Sequence, residues 1–312
     1  MVKDEFYYDS RDGKSKLHAV RYRPENPEAV RCVLQIVHGM AEYVERYEEF
    51  AEFMTERGFV VTGDDHMGHG KSVEGDGKYG YFCEQDPATV LVRDVHRLKK
   101  MTQELYPNVP YVIMGHSMGS FITRNYMFRY GTGISAVIIM GTGMPSAASL
   151  GAAKVVTFLQ RLFCGSRHTS RLIDKLTFGN YNKGVSNPRT DWDWLSREES
   201  RVAQYIADSM CGFVFTVNGF SALFELISRL HSAENLAHIP RELPVFMVSG
   251  DADPVGDYGK GVQKAYDSLV AVGLKNITLK MYRGGRHELL NETNRGEVMK
   301  DVLDWIENQI LQ

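Results

Sequence analysis

Serine, aspartate and histidine stand along this chain in an order and in local settings that suit nucleophilic chemistry. Gly115-His116-Ser117-Met118-Gly119 follows the apolar run Tyr111 to Met114 and precedes a helical pattern beginning near Phe121. A serine on a sharp strand-to-helix turn presents its hydroxyl to solvent, and a glycine two positions away on each side allows a backbone approach that a Cβ would obstruct. Further on, the apolar run Val245 to Val248 passes into Ser249-Gly250-Asp251-Ala252-Asp253-Pro254, a strand entering an acidic turn. Asp251 and Asp253 both lie there. A last strand, Ile277 to Met281, leads to Arg283-Gly284-Gly285-Arg286-His287-Glu288 and makes His287 the candidate base.

Three separated residues are needed because a serine hydroxyl is a poor nucleophile at neutral pH. An imidazole titrating near neutrality removes its proton during attack and returns it to the leaving group. A buried carboxylate fixes the imidazole tautomer and steadies the imidazolium. The attacked carbonyl becomes an oxyanion, and losing one of its preorganised donors typically costs ~100- to 1000-fold in turnover. Two backbone N–H groups are expected to supply those donors. One is that of Met118, directly after the nucleophile at a helix N-terminus, where the dipole favours negative charge. The other is that of Met40, in the turn His38-Gly39-Met40-Ala41-Glu42 after the strand Val33 to Val37. His38 and His116 flank the predicted site and are expected to brace the two oxyanion loops by hydrogen bonds.

Five segments together, His38-Gly39-Met40-Ala41-Glu42, Asp65-His66-x-Gly68-His69-Gly70-x-Ser72, Gly115-His116-Ser117-Met118-Gly119, Gly250-x-x-Asp253 and His287, resemble the bacterial-type, capped monoacylglycerol lipase and lysophospholipase branch of the α/β-hydrolases. The resemblance spans residues ~30 to ~310 in consistent order. It implies a Ser-Asp-His esterase that forms an acyl-enzyme with single-chain acyl esters, with a cap over the site and no cofactor or metal. Ser117, Asp253, His287 and the backbones of Met40 and Met118 carry over. The family's acid sits three residues after a strand-closing glycine, which selects Asp253 and leaves Asp251 as a turn residue capping local N–H groups. The family's oxyanion loop often reads His-Gly-small-Gly-Glu. Here Met40 and Ala41 replace the small residue and the glycine, which bears on the width of the acyl entrance. His66 and His69, beside Asp64 and Asp65, are metal-ligand types, but their loop is better explained by the resemblance than by ligand spacing.

Apolar strands alternate with amphipathic helices, which argues for a mostly parallel sheet, eight-stranded by the resemblance, with helices on both faces. Glu5 to Tyr8 is expected to pair with Leu17 to Tyr22 as an antiparallel edge hairpin around Asp12-Gly13. Residues 1–142 and 240–312 form the two parts of one core, and 143–239 a helical cap inserted between them. Within that insert Val155, Phe158, Leu159 and Leu162 recur at helical spacing, as do Phe220, Leu223, Phe224 and Ile227. Both stripes are expected mainly to pack the insert onto the core. A cap also needs an apolar wall for an acyl chain, since each buried methylene contributes about 0.8 kcal/mol. Asp191-Trp192-Asp193-Trp194-Leu195-Ser196-Arg197 reads as a helix start, and Cys211-Gly212-Phe213 as a turn near the cleft.

The 312 residues, 43% hydrophobic and 24% charged, suffice for one large core. A net charge of −3 argues against a nucleic-acid partner and against a polybasic membrane anchor, although the outer face of the cap could make a transient membrane contact. Cys32, Cys83, Cys164 and Cys211 lack metal-like spacing, and the first residues form no apolar signal segment, so free thiols and a cytoplasmic location are expected. The nearest rival reading is a capped aminopeptidase of the proline iminopeptidase kind. It requires a carboxylate in the cap for the free α-amine, for which Glu198, Glu199, Asp208 and Glu225 are candidates. A non-catalytic binding protein on this fold is a third reading, and perhydrolase activity could use the same triad. Dehalogenase and epoxide hydrolase chemistry is disfavoured, because those enzymes place a carboxylate where Ser117 stands.

Overall fold

The apolar runs at 32–37, 59–64, 111–116, 136–140 and 245–250 are buried at every residue, the pattern of strands covered on both faces. A computed structural model of the protein describes residues 1–73, 75 and 77–311. Its strands are β1 (Val2–Asp9), β2 (Lys16–Arg23), β3 (Cys32–Val37), β4 (Phe59–Asp64), β5 (Tyr111–His116), β6 (Ala136–Met140), β7 (Val245–Gly250) and β8 (Ile277–Tyr282). They form one sheet in the order β1-β2-β4-β3-β5-β6-β7-β8. β2 runs antiparallel to both β1 and β4, and every other pair is parallel. The edge hairpin turns where expected: Gly13 takes a φ of 75°, and Asp12 Oδ1 accepts from the N–H groups of Lys14 and Ser15.

Alternation along each strand divides the core between the two faces. Tyr111 and Ile113 of β5 meet α2 (Pro87–Leu105) and α3 (Met118–Tyr130), whereas Val112 and Met114 share a cluster with α1 (Glu48–Thr55) and α10 (Arg295–Ile310). α9 (Lys260–Ala271) covers β6 and β7 through Val262, Ala265 and Leu269.

Between β6 and β7 run α4 (Ala147–Cys164), α5 (Arg171–Phe178), α6 (Glu199–Ala207), α7 (Val217–Arg229) and α8 (Ala233–Ala237). Among the described residues the only strand-like pairing there is a single bridge, Thr169 to Thr216. The α7 stripe Phe220, Leu223, Phe224 and Ile227 is buried as expected. The α4 stripe is not: Phe158 is 66% and Leu162 67% exposed, and Val155 and Leu159 also face outward. α4 packs instead through Leu150, Ala153, Val156 and Thr157, and it lies against α7. Helical spacing reveals an apolar row but not which of two rows meets the core. The segment at Asp191 is also not an α-helix start, because Asp193–Leu195 makes one 3-10 turn and α6 begins only at Glu199.

Candidate active site

Four loops at the carboxyl ends of β3, β5, β7 and β8 converge on one cleft, the usual place for a ligand beside a parallel sheet. Ser117 directly follows β5 and caps α3 with φ 52° and ψ −120°, a conformation rare for any residue with a side chain. The glycines around it permit this turn to pack: a Cβ on Gly119 would lie 1.9 Å from the Val37 carbonyl oxygen, and one on Gly115 2.3 Å from that of Gly119. Ser117 and His287 line the same cleft.

His287 is buried in the loop after β8, and its Nδ1 lies 2.9 Å from Asp253 Oδ2. Asp253, fully buried after β7, also accepts from the Val255 N–H at 2.9 Å. A carboxylate at Nδ1 holds the proton on that nitrogen and leaves Nε2 as the acceptor. Asp251 turns elsewhere and accepts from the Gly284 N–H. Of the two acids at this turn, Asp253 is the one that meets the imidazole.

Met118 opens α3, so its N–H belongs to the unpaired first turn of a helix, and Met40 lines the same cleft. Hydrogen bonds hold the Met40 loop from three sides. His38 Nδ1 bonds the Gly39 carbonyl, and its Nε2 accepts the His66 N–H. The Ala41 N–H donates to His69 Nε2, and Ala41 takes a φ of 54°. The Gly39 N–H donates to Glu42 Oε1 at 2.6 Å. Burial pushes the His69 imidazole down to about 3 and that of His38 well below its ordinary value, so both are neutral and act as hydrogen-bonding struts. His66 stacks on His38 with ring centres 4.0 Å apart. Among the described residues no group of three His, Cys, Asp or Glu side chains is arranged around a metal position.

His116 differs from its neighbours. Burial is the largest single influence and lowers its pKa, but the hydrogen bond to Glu42 at 3.1 Å, the Glu42 and Glu288 charges and the His287 carbonyl together outweigh it and raise the pKa above the ordinary imidazole value. Its Nε2 faces the His287 carbonyl at 3.2 Å, so both ring nitrogens point at acceptors. Glu42 also accepts from Tyr47 and pairs with Arg46, whose guanidinium spans Glu288 with two bonds of 2.8 Å. Burial works against the Glu42 anion, yet His116 and Arg46 keep its pKa below the usual carboxylate range. Sequence reasoning missed Arg46 and Glu288, which lie 242 positions apart and carry no local motif. It also left Trp194 without a role, although its ring sits 5.2 Å from that of His287 and 4.9 Å from Tyr181.

The cleft encloses about 1030 Å³ and takes its upper wall from the insert. Ala153 and Val156 of α4, Ile173 and Leu176 of α5, and Leu223, Phe224 and Ile227 of α7 line it, together with Phe213 beside the Gly212 turn. None of Glu198, Glu199, Asp208 or Glu225 reaches it. Asp208 accepts from Tyr43, Glu225 pairs with Lys154 and Arg229, Glu199 pairs with Arg189, and Glu198 accepts from Ser200. Asp174 and Asp191 do line the cleft, as do Glu42 and Glu288, which are both paired with Arg46.

An eight-stranded, mostly parallel sheet with helices on both faces and a serine elbow after its central strand defines an α/β-hydrolase. A family model described as serine aminopeptidase, S33 (Hydrolase_4) matches residues 28–294. Mouse monoglyceride lipase is 28% identical over 290 residues, covering 90% of this chain and 84% of the mouse chain. The monoacylglycerol lipase of Mycolicibacterium smegmatis is 28% identical over 279 residues, covering 88% of each. A thermostable carboxyl esterase from Bacillus coagulans, solved in complex with glycerol, is 30% identical with a TM-score of 0.91 over 99% of both chains. The chain belongs to the Hydrolase_4 serine aminopeptidase family and is a serine hydrolase of the monoglyceride lipase and esterase type. The reading as a non-catalytic binding protein falls with that membership.

Proposed function

We propose that this enzyme hydrolyses monoacylglycerol or lysophospholipid-type single-chain esters through an acyl-enzyme on Ser117. The observation that carries the reading is the 2.9 Å contact between His287 and Asp253 at a cleft that Ser117 also lines. In the proposed reaction His287 Nε2 takes the Ser117 proton as the hydroxyl oxygen attacks the ester carbonyl. The N–H groups of Met40 and Met118 bind the resulting oxyanion. The imidazolium then protonates the departing alcohol, and water repeats the sequence to release the fatty acid.

Residues 143–239 serve in this reading as the cap, whose α4, α5 and α7 residues would hold the acyl chain. The names of the relatives support the substrate class, and the glycerol bound to the Bacillus esterase supports a polyol leaving group. The cap also offers a surface for transient membrane contact. Val155, Phe158, Leu159, Leu162 and Phe163 of α4 adjoin Leu172 and Leu176 of α5 as exposed apolar residues, and Leu176 also lines the cleft. Among the described residues no helix is long and apolar enough to cross a membrane. Four unpaired cysteines support a reducing compartment and hence the cytoplasm.

One observation favours a second reading, aminopeptidase activity: Asp174 lines the cap wall, where a carboxylate could meet an ammonium group. A p-nitrophenyl ester series from acetate to palmitate, run beside aminoacyl arylamides with Ser117→Ala as control, decides between them. Turnover that rises toward medium or long chains and vanishes in S117A is expected. Activity confined to acetate, or arylamide turnover above ester turnover, would overturn the lipid-ester reading.

A further inference from the structure

The segment Asp193 to Arg197, which belongs to the insert, lies along the loop that carries His287 and is bonded to it at nearly every residue. The His287 N–H faces the Trp194 carbonyl at 3.4 Å, and the Glu288 N–H donates to the Leu195 carbonyl at 2.7 Å. The Arg286 guanidinium donates to the carbonyls of Asp193 and Ser196, and the Ser196 hydroxyl to that of Asn291. Glu292 joins the two segments. It is fully buried, and both its oxygens are saturated: Oε1 accepts from the N–H groups of Arg197 and Arg286 at 3.1 and 3.0 Å, and Oε2 from Arg197 Nε and the Thr293 N–H at 2.8 Å each.

Asp253 fixes one nitrogen of His287 but not the path of the backbone that carries the ring. Arg286 and Glu288, the residues on either side, are both tied to the insert, and the Trp194 ring lies against that of His287 at a tilt of 41°. We propose that Glu292 is a positioning residue for His287, acting through Arg197 and the Arg286 N–H to lock residues 193–197 of the insert to the His287 loop. A buried carboxylate with four donors loses half its acceptor capacity on conversion to an amide, and the amide nitrogen then faces donors.

The proposal rests on the reading of His287 as the base, so the experiment includes His287→Ala. Turnover of p-nitrophenyl acetate is measured per active site, with sites titrated to completion by an organophosphonate. Glu292→Gln and Arg197→Met are each expected to lower kcat per site roughly 10- to 100-fold, as a displaced base would, with KM changed by less than about twofold. The double variant should lose no more than the worse single variant, since both break one link. A residue that only stabilises the fold would lower the melting temperature and the number of titratable sites but leave kcat per site intact, and that result overturns the proposal. So would fully additive losses. Should E292Q not fold, R197M decides alone, because Arg197 is 32% exposed and its loss leaves Glu292 three backbone donors. Full activity in H287A would sink the assignment of the base itself, a different result from an active E292Q beside an inactive H287A.

Discussion

At the scale of single residues, the geometry separates chemical demands from folding demands. Ser117 holds a φ of 52° with ψ −120°, a strained state that costs on the order of 1–3 kcal/mol and persists because the glycines around it let α3 pack close to β3 and β5. Glycine would relieve that strain at an entropic cost of roughly 0.5–1 kcal/mol. Ser117→Gly is therefore expected to be inactive but more stable, by about 1 kcal/mol. Denaturant unfolding of the two proteins checks this, and an equal or lower midpoint for the variant would show that the turn stores no strain. The two aspartates after β7 give a second test. Asp253→Asn should lower kcat on the order of 1000- to 10,000-fold by losing the tautomer of His287, whereas Asp251→Asn, which touches only the Gly284 N–H, should stay within one order of magnitude of the wild type. The reverse ranking in steady-state assays would reassign the acid.

Among the elements, α4 and α5 depart furthest from an ordinary packed pair. Each carries a second apolar row that faces outward, Val155, Phe158, Leu159 and Leu162 on α4 and Leu172 and Leu176 on α5, and this outer row contributes little to holding the insert in place. Such a row suits a lipid surface more than water. Replacing Phe158 and Leu162 together by serine should weaken binding to neutral phosphatidylcholine vesicles and lower turnover of vesicle-borne monoacylglycerol several-fold, while p-nitrophenyl acetate turnover stays unchanged. Co-sedimentation and the paired assays report both effects. Unchanged vesicle binding would remove the membrane role from this face. Melting temperature should not fall, because both side chains are mostly exposed in the wild type.

Over the whole molecule, one buried charge far from the cleft ties stability to pH. Asp94 of α2 sits under the edge hairpin, accepting from the Ser10 hydroxyl and the Arg11 N–H, and burial pushes its pKa up to about 7. A carboxyl whose folded pKa lies above its unfolded value binds more protons when folded. Its contribution to stability is therefore fullest at or below pH ~4 and is lost as pH rises toward ~7. The melting temperature of Asp94→Asn should gain on that of the wild type between pH 4 and 7.5. A constant difference across that range would show that Asp94 does not titrate there. Local sequence was enough to place the strands along the chain, the elbow at Ser117, the loops that carry Asp253 and His287, and the edge hairpin. Those features are local: a short apolar run, a glycine spacing or a turn dipeptide records them wherever the rest of the chain lies. The three-dimensional packing alone shows that the α4 stripe faces outward and that Glu292 and Arg197 join the insert to the His287 loop. Each of these depends on which surface a distant segment covers, and a linear pattern carries no record of that.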